Sequence, residues 1–551
     1  MNMIRFYCLL LAAALLAGCG ESAGGGDVRG SAVIEGLLHE HTAVLSADEF
    51  GGRAPATEGE ELTINYLREQ FEALGVGPGN GDSYFQEVQV TEMTTGSDAV
   101  LQVRGDGYEA SFEYGTEMMV GSLRQVSGVD VSDSEMVFVG YGVVAPERNW
   151  NDYDGLDVNG KTVVILVNDP GYATQDPALF NGNAMTYYGR WVYKYEEAAR
   201  QGAAAALIVH ETGPAGYGWD VVSGSWSGPQ ISLTAADRNA GRAAIEGWVT
   251  LDVAEALFAG AGLDYQELKV AAARPGFTAV PMGSLQASVS ITNSVRTSTS
   301  RNVIARIPGS ERPDETIIYT AHWDHLGTNP EGEGDNIYNG AADNASGTAA
   351  LLALAYIHSQ QPAPQRSIVF LAVTAEESGL LGSKWYAENP VYPIAQTVAN
   401  INMDNMNTFG KTHDVVVVGY NSSELENYLQ EAAATQDRYL APEPTPERGY
   451  YYRSDHFNFA KVGVPALYAE SGEDNVEHGR EWGAQQAEDY IANRYHAPSD
   501  EYNPDWDFSG AAQDVFLYFH IANRLANEDS FPNWFEGNEF RSVRDASRAG
   551  M

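Results

Sequence analysis

The 551-residue sequence predicts an α/β protein, a mostly parallel central sheet covered by helices on both faces and interrupted by an inserted β-rich segment. Three observations predict it. From about residue 285, short continuous apolar runs ("TIIYTA", "SIVFLAV", "TVANINM", "VPALYAE") recur, mostly separated by helical segments such as "ASGTAALLALAYIHS" and "GLLGSKWYAENP"; strands of this kind are buried on both faces. Residues 135–250 have another texture, with strand-like "MVFVGYGVVAP" and "KTVVILVNDP" ahead of a helix and strand in "WVYKYEEAARQGAAAALIVHE". Finally, single cores stop growing at roughly 250–300 residues, so a chain of this length with 44% hydrophobic content divides into more than one domain.

The N-terminus reads as a targeting segment. Arg5 precedes the apolar run "FYCLLLAAALLAG", which is too short for a stable membrane span. It ends in Leu16-Ala17-Gly18-Cys19, which resembles the lipobox of bacterial lipoproteins. That resemblance implies a signal peptide over residues 1–18, a lipid on Cys19, and a protein anchored at the cell envelope; an ordinary secretory peptide is the alternative. Cys8 and Cys19 are the only cysteines, so a mature chain without Cys8 has no disulfide. Residues 19–30, containing "ESAGGGDVRG", read as a flexible tether.

Residues 31–125 read as the first part of the main domain. Leu62, Tyr66, Leu67, Phe71 and Leu74 recur at helical spacing before Gly75, and residues 84–125 alternate as strands do. Residues 126–284 form the insert. Its Gly-Tyr-Gly at 140–142, "NGKTVVILVNDP" and "AARQGAAAALIVH" resemble the protease-associated domain found in secreted peptidases. His210, ending an apolar strand there, reads as a structural histidine. Residues 285–527 carry the core of the main domain, and the polar tail 528–551, with Phe531, Trp534 and Phe535, either docks or frays.

A formal charge of −43 argues against nucleic acid, because a polyanion binder needs a basic face. It reads instead as a solvated surface, and the dense acids Glu331, Glu333 and Asp335 as a solvated loop rather than a calcium site.

Chemistry gathers where the predicted strands end, the place where open α/β sheets bind ligands. His322-Trp323-Asp324-His325 follows "TIIYTA", Glu376-Glu377 follows "SIVFLAVTA", and Asp404 follows "TVANINM". Asp343 lies in the Gly-rich "NGAADNASG", and His496 in "YHAPSDE". Taken singly, Asp343 is a helix cap, Asp404 a turn residue and His496 a surface histidine. Together they are imidazoles and carboxylates, the ligand types of zinc. Two adjacent glutamates at the end of an apolar run are costly without a nearby positive charge, and a pair of divalent ions supplies it. Five ligand residues with one carboxylate shared give three contacts per ion, which suits a two-metal site. One of the two glutamates faces a metal and leaves the other free to take a proton from water.

The order His-x-Asp, Gly-x-x-Asp-Asn-x-Ser-Gly, Glu-Glu, Met-Asp and His-x-x-x-Asp resembles the di-zinc exopeptidases of the bacterial leucyl aminopeptidase family, which includes aminopeptidase Y, glutamate carboxypeptidase and the inactive transferrin receptor. The resemblance covers roughly residues 30–80 and 285–527. It implies two Zn2+, bridged by Asp343, with His322 and Asp404 on one ion and Glu377 and His496 on the other. It implies Glu376 as general base and Asp324 as the residue that fixes the His322 tautomer. His325 falls outside the motif and reads as structural. "YYRSDHFNFAKVGVPAL" is similar to a stretch near the family's substrate pocket, which implies that Arg453, Ser454, Asp455 and His456 line or support it. The implied activity is removal of N-terminal residues from peptides. A carboxypeptidase or dipeptidase, needing cations for a substrate carboxylate (Arg453 and Arg53 are candidates), is one alternative, and a non-catalytic transferrin-receptor-like binding protein is the other. A serine hydrolase is a poor fit, since no G-x-S-x-G elbow occurs.

Overall fold

The main sheet is built chiefly from β1 (Phe85–Thr95), β2 (Val280–Ile307), β3 (Arg312–His322), β4 (Arg366–Val373), β5 (Thr397–Asn402), β6 (Asp414–Val417), β7 (Tyr439–Pro442) and β8 (Ala466–Ser471), with the short runs Gly77–Pro78 and Gln230–Leu233 pairing to β2 and β1. The computed structural model describes residues 25–329 and 334–550. Residues 1–18, Cys19 with its expected lipid, and Glu331 and Glu333 lie outside the described residues.

The spatial order is β1-β2-β4-β3-β5-β8-β6-β7. β4, β3, β5 and β8 run parallel, while β1 and β2 are antiparallel to their neighbours on one side and β6 is antiparallel to β8 on the other. Every residue of β4 and β5 is buried, as the unbroken apolar runs require. Their side chains alternate between two cores. Ile317, Tyr319, Ala321, Ile368 and Phe370 pack with the helices Glu58–Ala73, Gly347–Ser359 and Ser509–Ala526. Ile318, Val369 and Leu371 face the opposite way, towards Tyr386, Phe459 and Trp534. The tail therefore docks: Trp534 is fully buried and donates from Nε1 to Gly463 O at 3.1 Å.

The insert builds a second sheet on the first half of the 28-residue β2. Gly128–Phe138, Thr162–Leu166, Ala205–His210 and Ile245–Thr250 run parallel beside it. The second half of β2 pairs with β1 and β4, so one strand is shared by both sheets.

The boundaries shift accordingly. Val100–Gly105, Tyr108–Glu113 and Met118–Gly121 pair within the second sheet, so the insert begins before residue 126 and reaches past 284 into the shared strand. Alternating patterns look alike in either sheet, which is why the sequence hides this change. The helix Gly25–Leu45 starts inside the stretch expected to be a tether. In the helix Glu58–Ala73 the buried face is Ile64, Leu67 and Phe71, whereas Leu62 is exposed. Glu60 of the same helix is fully buried as well and accepts from Ser300 Oγ (2.8 Å) and Arg301 Nε (3.0 Å). Among the described residues no helix is long and apolar enough to cross a membrane.

Candidate metal centre

The parallel strands end on one edge, and each end delivers a polar group. His322 is the last residue of β3. After β4, Ala375 takes the left-handed conformation (φ +52°), unusual for a residue with a Cβ, and the two glutamates that follow each bring a carboxylate oxygen within 4.8 Å of a His322 nitrogen and of one another. Asn405 (φ +61°) turns the chain after Asp404, and His496 is itself left-handed (φ +55°). Asp343 lies in the loop before the helix Gly347–Ser359, where the backbone N–H groups of Ala342 and Asp343 donate to the Asp500 carboxylate at 3.1 Å.

The five expected ligands converge. Asp343 Oδ1 is 3.2 Å from His322 Nε2, and its Oδ2 is 3.2 Å from His496 Nε2. His322 Nε2 is also 3.2 Å from Asp404 Oδ1, and His496 Nε2 is 3.0 Å from Glu377 Oε2. One carboxylate thus joins two clusters, each made of an imidazole nitrogen and two carboxylate oxygens. Ligand atoms about 2.0–2.1 Å from a tetrahedral zinc lie about 3.3 Å apart, so these imidazole-to-carboxylate spacings suit a shared ion; His322, Asp343 and Asp404 bring ligand atoms within 4.8 Å of one another, as do His325, Asp343 and Glu377. The donor chemistry fits too. The Nδ1 of His322 faces the Asp324 carbonyl at 3.1 Å, so with its proton there the Nε2 lone pair points at two carboxylate oxygens. Three electron-rich atoms facing one point demand a cation.

Electrostatics carry the same demand. Burial works against a charge on His322, but Glu376 and Asp404 outweigh it and hold its pKa well above the ordinary range. Burial likewise opposes a charge on His496, and Glu377 and Asp343 overcome it, pushing that pKa up to about 10. Glu377, in spite of its burial, is drawn down to about 2 by His496 and His325. Glu376 goes the other way: burial first, then the Glu377 and Asp404 charges, keep its pKa well above the usual carboxylate value against the pull of His322. No hydrogen bond reaches the Glu376 carboxylate among the described residues, and it lines the cleft.

Two expectations change. The Asp324 carboxylate sits 3.9 Å from His322 Nδ1, beyond hydrogen-bond reach; instead it accepts from the Glu376 backbone N–H at 3.1 Å. Burial pushes its pKa up to about 8. Arg53 is no substrate cation: its guanidinium is buried and donates to the carbonyls of Leu45, Trp323, Asn339 and Gly340.

Of the four expected pocket residues, Arg453 lines the cleft, and Ser454 Oγ–H donates to Asp404 Oδ2 at 2.6 Å. Asp455 accepts from Ser383 Oγ–H at 2.5 Å, and His456 lies fully buried among aromatic rings, so both support the walls. The sequence reading missed His325, whose Nδ1 is 2.5 Å from Glu377 Oε1, and Asp500, the anchor of the Asp343 loop. The second histidine of "HWDH" and the last residue of His-x-x-x-Asp were the available signals.

Above the centre opens a cleft of about 1280 Å³, walled on one side by Tyr217 and Val221 of the insert. Val221, Val476, Ile491 and Tyr495 are exposed and all line it.

Residues 302–520 match Peptidase family M28. The chain is 35% identical over 139 residues to the mouse aminopeptidase NAALADL1, covering 24% of this chain and 17% of the mouse protein. It is 26% identical over 206 residues to the aminopeptidase YwaD of Bacillus subtilis (37% and 40% covered), and 39% identical over 103 residues to a probable zinc metalloprotease of Pyrenophora teres f. teres (18% and 22%). The alignments thus span less than half the length of these relatives. Among solved structures, an aminopeptidase from Aneurinibacillus sp. strain AM-1 superposes with a TM-score of 0.50 at 20% identity, covering 90% of this chain and 95% of that one. The likeness is one of fold, an α/β sheet flanked by helices.

Proposed function

We propose that the chain is a zinc-dependent exopeptidase that removes N-terminal residues from short peptides. The observation that carries the reading is the Asp343 carboxylate, which gives one oxygen to each of two ligand clusters. His322 and Asp404 would hold one zinc ion, His496 and Glu377 the other, with Asp343 between them. Bound there, the ions supply a water of lowered pKa and a polarised substrate carbonyl. Glu376, unpartnered and with a raised pKa, accepts the proton of the attacking water and returns it to the leaving amine. Asp324 fixes the backbone from which Glu376 projects. The acids Glu443 and Glu470 both line the cleft with pKa values raised by burial, and a free substrate ammonium beside them would favour their ionised form. We further propose that the insert is a protease-associated domain and that Cys19 carries a lipid that holds the enzyme at the cell envelope.

The experiment combines zinc analysis with kinetics on peptides that have free or blocked N-termini. Glu376→Gln should retain both ions while kcat drops by about 10²–10⁴-fold. Wild-type protein that is active without a transition metal, or that cleaves N-blocked peptides equally well, would sink the reading.

One observation favours a second reading, a dipeptidase or carboxypeptidase. Arg190 of the insert lies near enough to Arg453 for the two charges to repel, and burial first, then Arg453, lowers its pKa to about 10. Neither guanidinium has a carboxylate partner among the described residues, although Arg453 faces the Tyr450 ring at 5.4 Å. An unpaired cationic pair in so acidic a chain suits a substrate carboxylate. Amidating the C-terminus of a dipeptide would raise KM under this reading and leave it unchanged under the first.

A further inference from the structure

His325 makes a contact too short for a fellow ligand. Its Nδ1 is 2.5 Å from Glu377 Oε1, whereas two atoms bound to one tetrahedral zinc stand about 3.3 Å apart. The contact is instead that of a charge-assisted hydrogen bond. The other ring nitrogen, Nε2, is buried without a partner. A proton there would be stranded, so it belongs on Nδ1, where it is donated to Glu377. The backbone accommodates this placement. Gly340 is left-handed (φ +53°), and a Cβ at that position would come within 2.5 Å of the His325 ring.

The oxygens of the three ligand carboxylates are divided by the same logic. Asp343 turns both towards the imidazoles. Asp404 has Oδ2 tied to Ser454 Oγ–H and Oδ1 facing His322. Glu377 has Oε1 tied to His325 and Oε2 facing His496.

We infer that His325 is a positioning residue that makes Glu377 a one-oxygen ligand. The inference rests on the two-ion reading above. Its consequence is chemical: a four-coordinate zinc held by Asp343, His496 and both oxygens of Glu377 has no place left for water or substrate. With Oε1 occupied by His325, three protein contacts remain, the number typical of a catalytic rather than a structural zinc.

The test uses the full chain, with zinc affinities measured by competition against a chromophoric chelator and geometry read from the visible spectrum of the cobalt(II)-loaded protein. His325→Leu should change the affinity of one of two ions by about 10–100-fold and leave the other unchanged. It should also alter the cobalt spectrum. His325→Gln, whose amide can still donate, should restore both readouts. Equal changes at both ions, unchanged affinities and spectrum, or a Gln variant no better than Leu in either readout would overturn the inference. A wild-type chain that binds fewer than two ions would instead defeat the two-ion reading, so the two failures are told apart. If His325→Leu does not fold, the comparison of wild type with His325→Gln decides: displaced affinity or spectrum in a folded Gln variant counts against the assignment, and agreement between the two supports it.

Discussion

Both sheets end their parallel strands in charged or polar groups, yet only one set is left uncompensated. In the insert, Asp169 follows Thr162–Leu166 and accepts from Gly171 N–H and from both the N–H and Oγ–H of Thr186, at 2.7–3.0 Å. Lys194, fully buried, donates to Tyr141 O at 2.6 Å with Asp152 and Asp169 as its counter-charges. Burial drives its pKa down, and these two carboxylates hold it up. His210 contacts Tyr217 O at 3.0 Å. In the main sheet, by contrast, His322, Asp343, Glu376, Glu377 and Asp404 face one another, and their charge is left to something outside the chain. An acid after an apolar strand is therefore not by itself a functional signal; the signal is an acid whose counter-charge the chain does not supply.

The largest test of this contrast is Asp343→Asn. Removing the shared carboxylate should take zinc content from two per chain towards zero. Metal stabilisation of the transition state is worth several kcal/mol, so turnover should fall by about 10³-fold or more. Retention of two ions would show that Asp343 does not bridge. Next comes Lys194→Met in the insert, which strands two buried carboxylates. Denaturant melts should show a loss of about 3–5 kcal/mol, with little change in kcat for the protein that remains folded. A fall in kcat without loss of stability would erase the distinction between the two regions.

The smallest effect concerns pH in metal-free protein. Burial, then Asp404, pushes the Glu470 pKa from 4.5 up to about 8. Since the folded pKa exceeds the unfolded one, the contribution to stability is complete below about 4.5 and is lost as pH rises through about 8. In chelator, Tm should drop by a few degrees between pH 5 and 8.5, and Glu470→Gln should flatten that slope. Parallel slopes for the two proteins would rule out Glu470 as the source.

What the sequence revealed and what it hid follow from the range of the interactions. The apolar runs of β3, β4 and β5 are local, and the residue after each is fixed by chain order, so His322, Glu376, Glu377 and Asp404 were legible at the strand ends. His325 was not, because its partner Glu377 is 52 residues away and the deciding quantity is a 2.5 Å contact. Arg53 read as a free cation until the chain folded four carbonyls around it. The start of the insert was hidden because two-residue alternation does not say which sheet a strand joins.

The shared strand β2 has a consequence for how the chain is made. β1 pairs with β2 residues synthesised roughly 200 positions later, a gap of about 10–40 s at ordinary translation rates. The insert, produced during that wait, also needs β2 for its own sheet. Neither sheet can close before the same 28 residues emerge; the second sheet then has all its strands, whereas the main sheet still waits for β3 to β8, which follow in the chain, so the insert can close first.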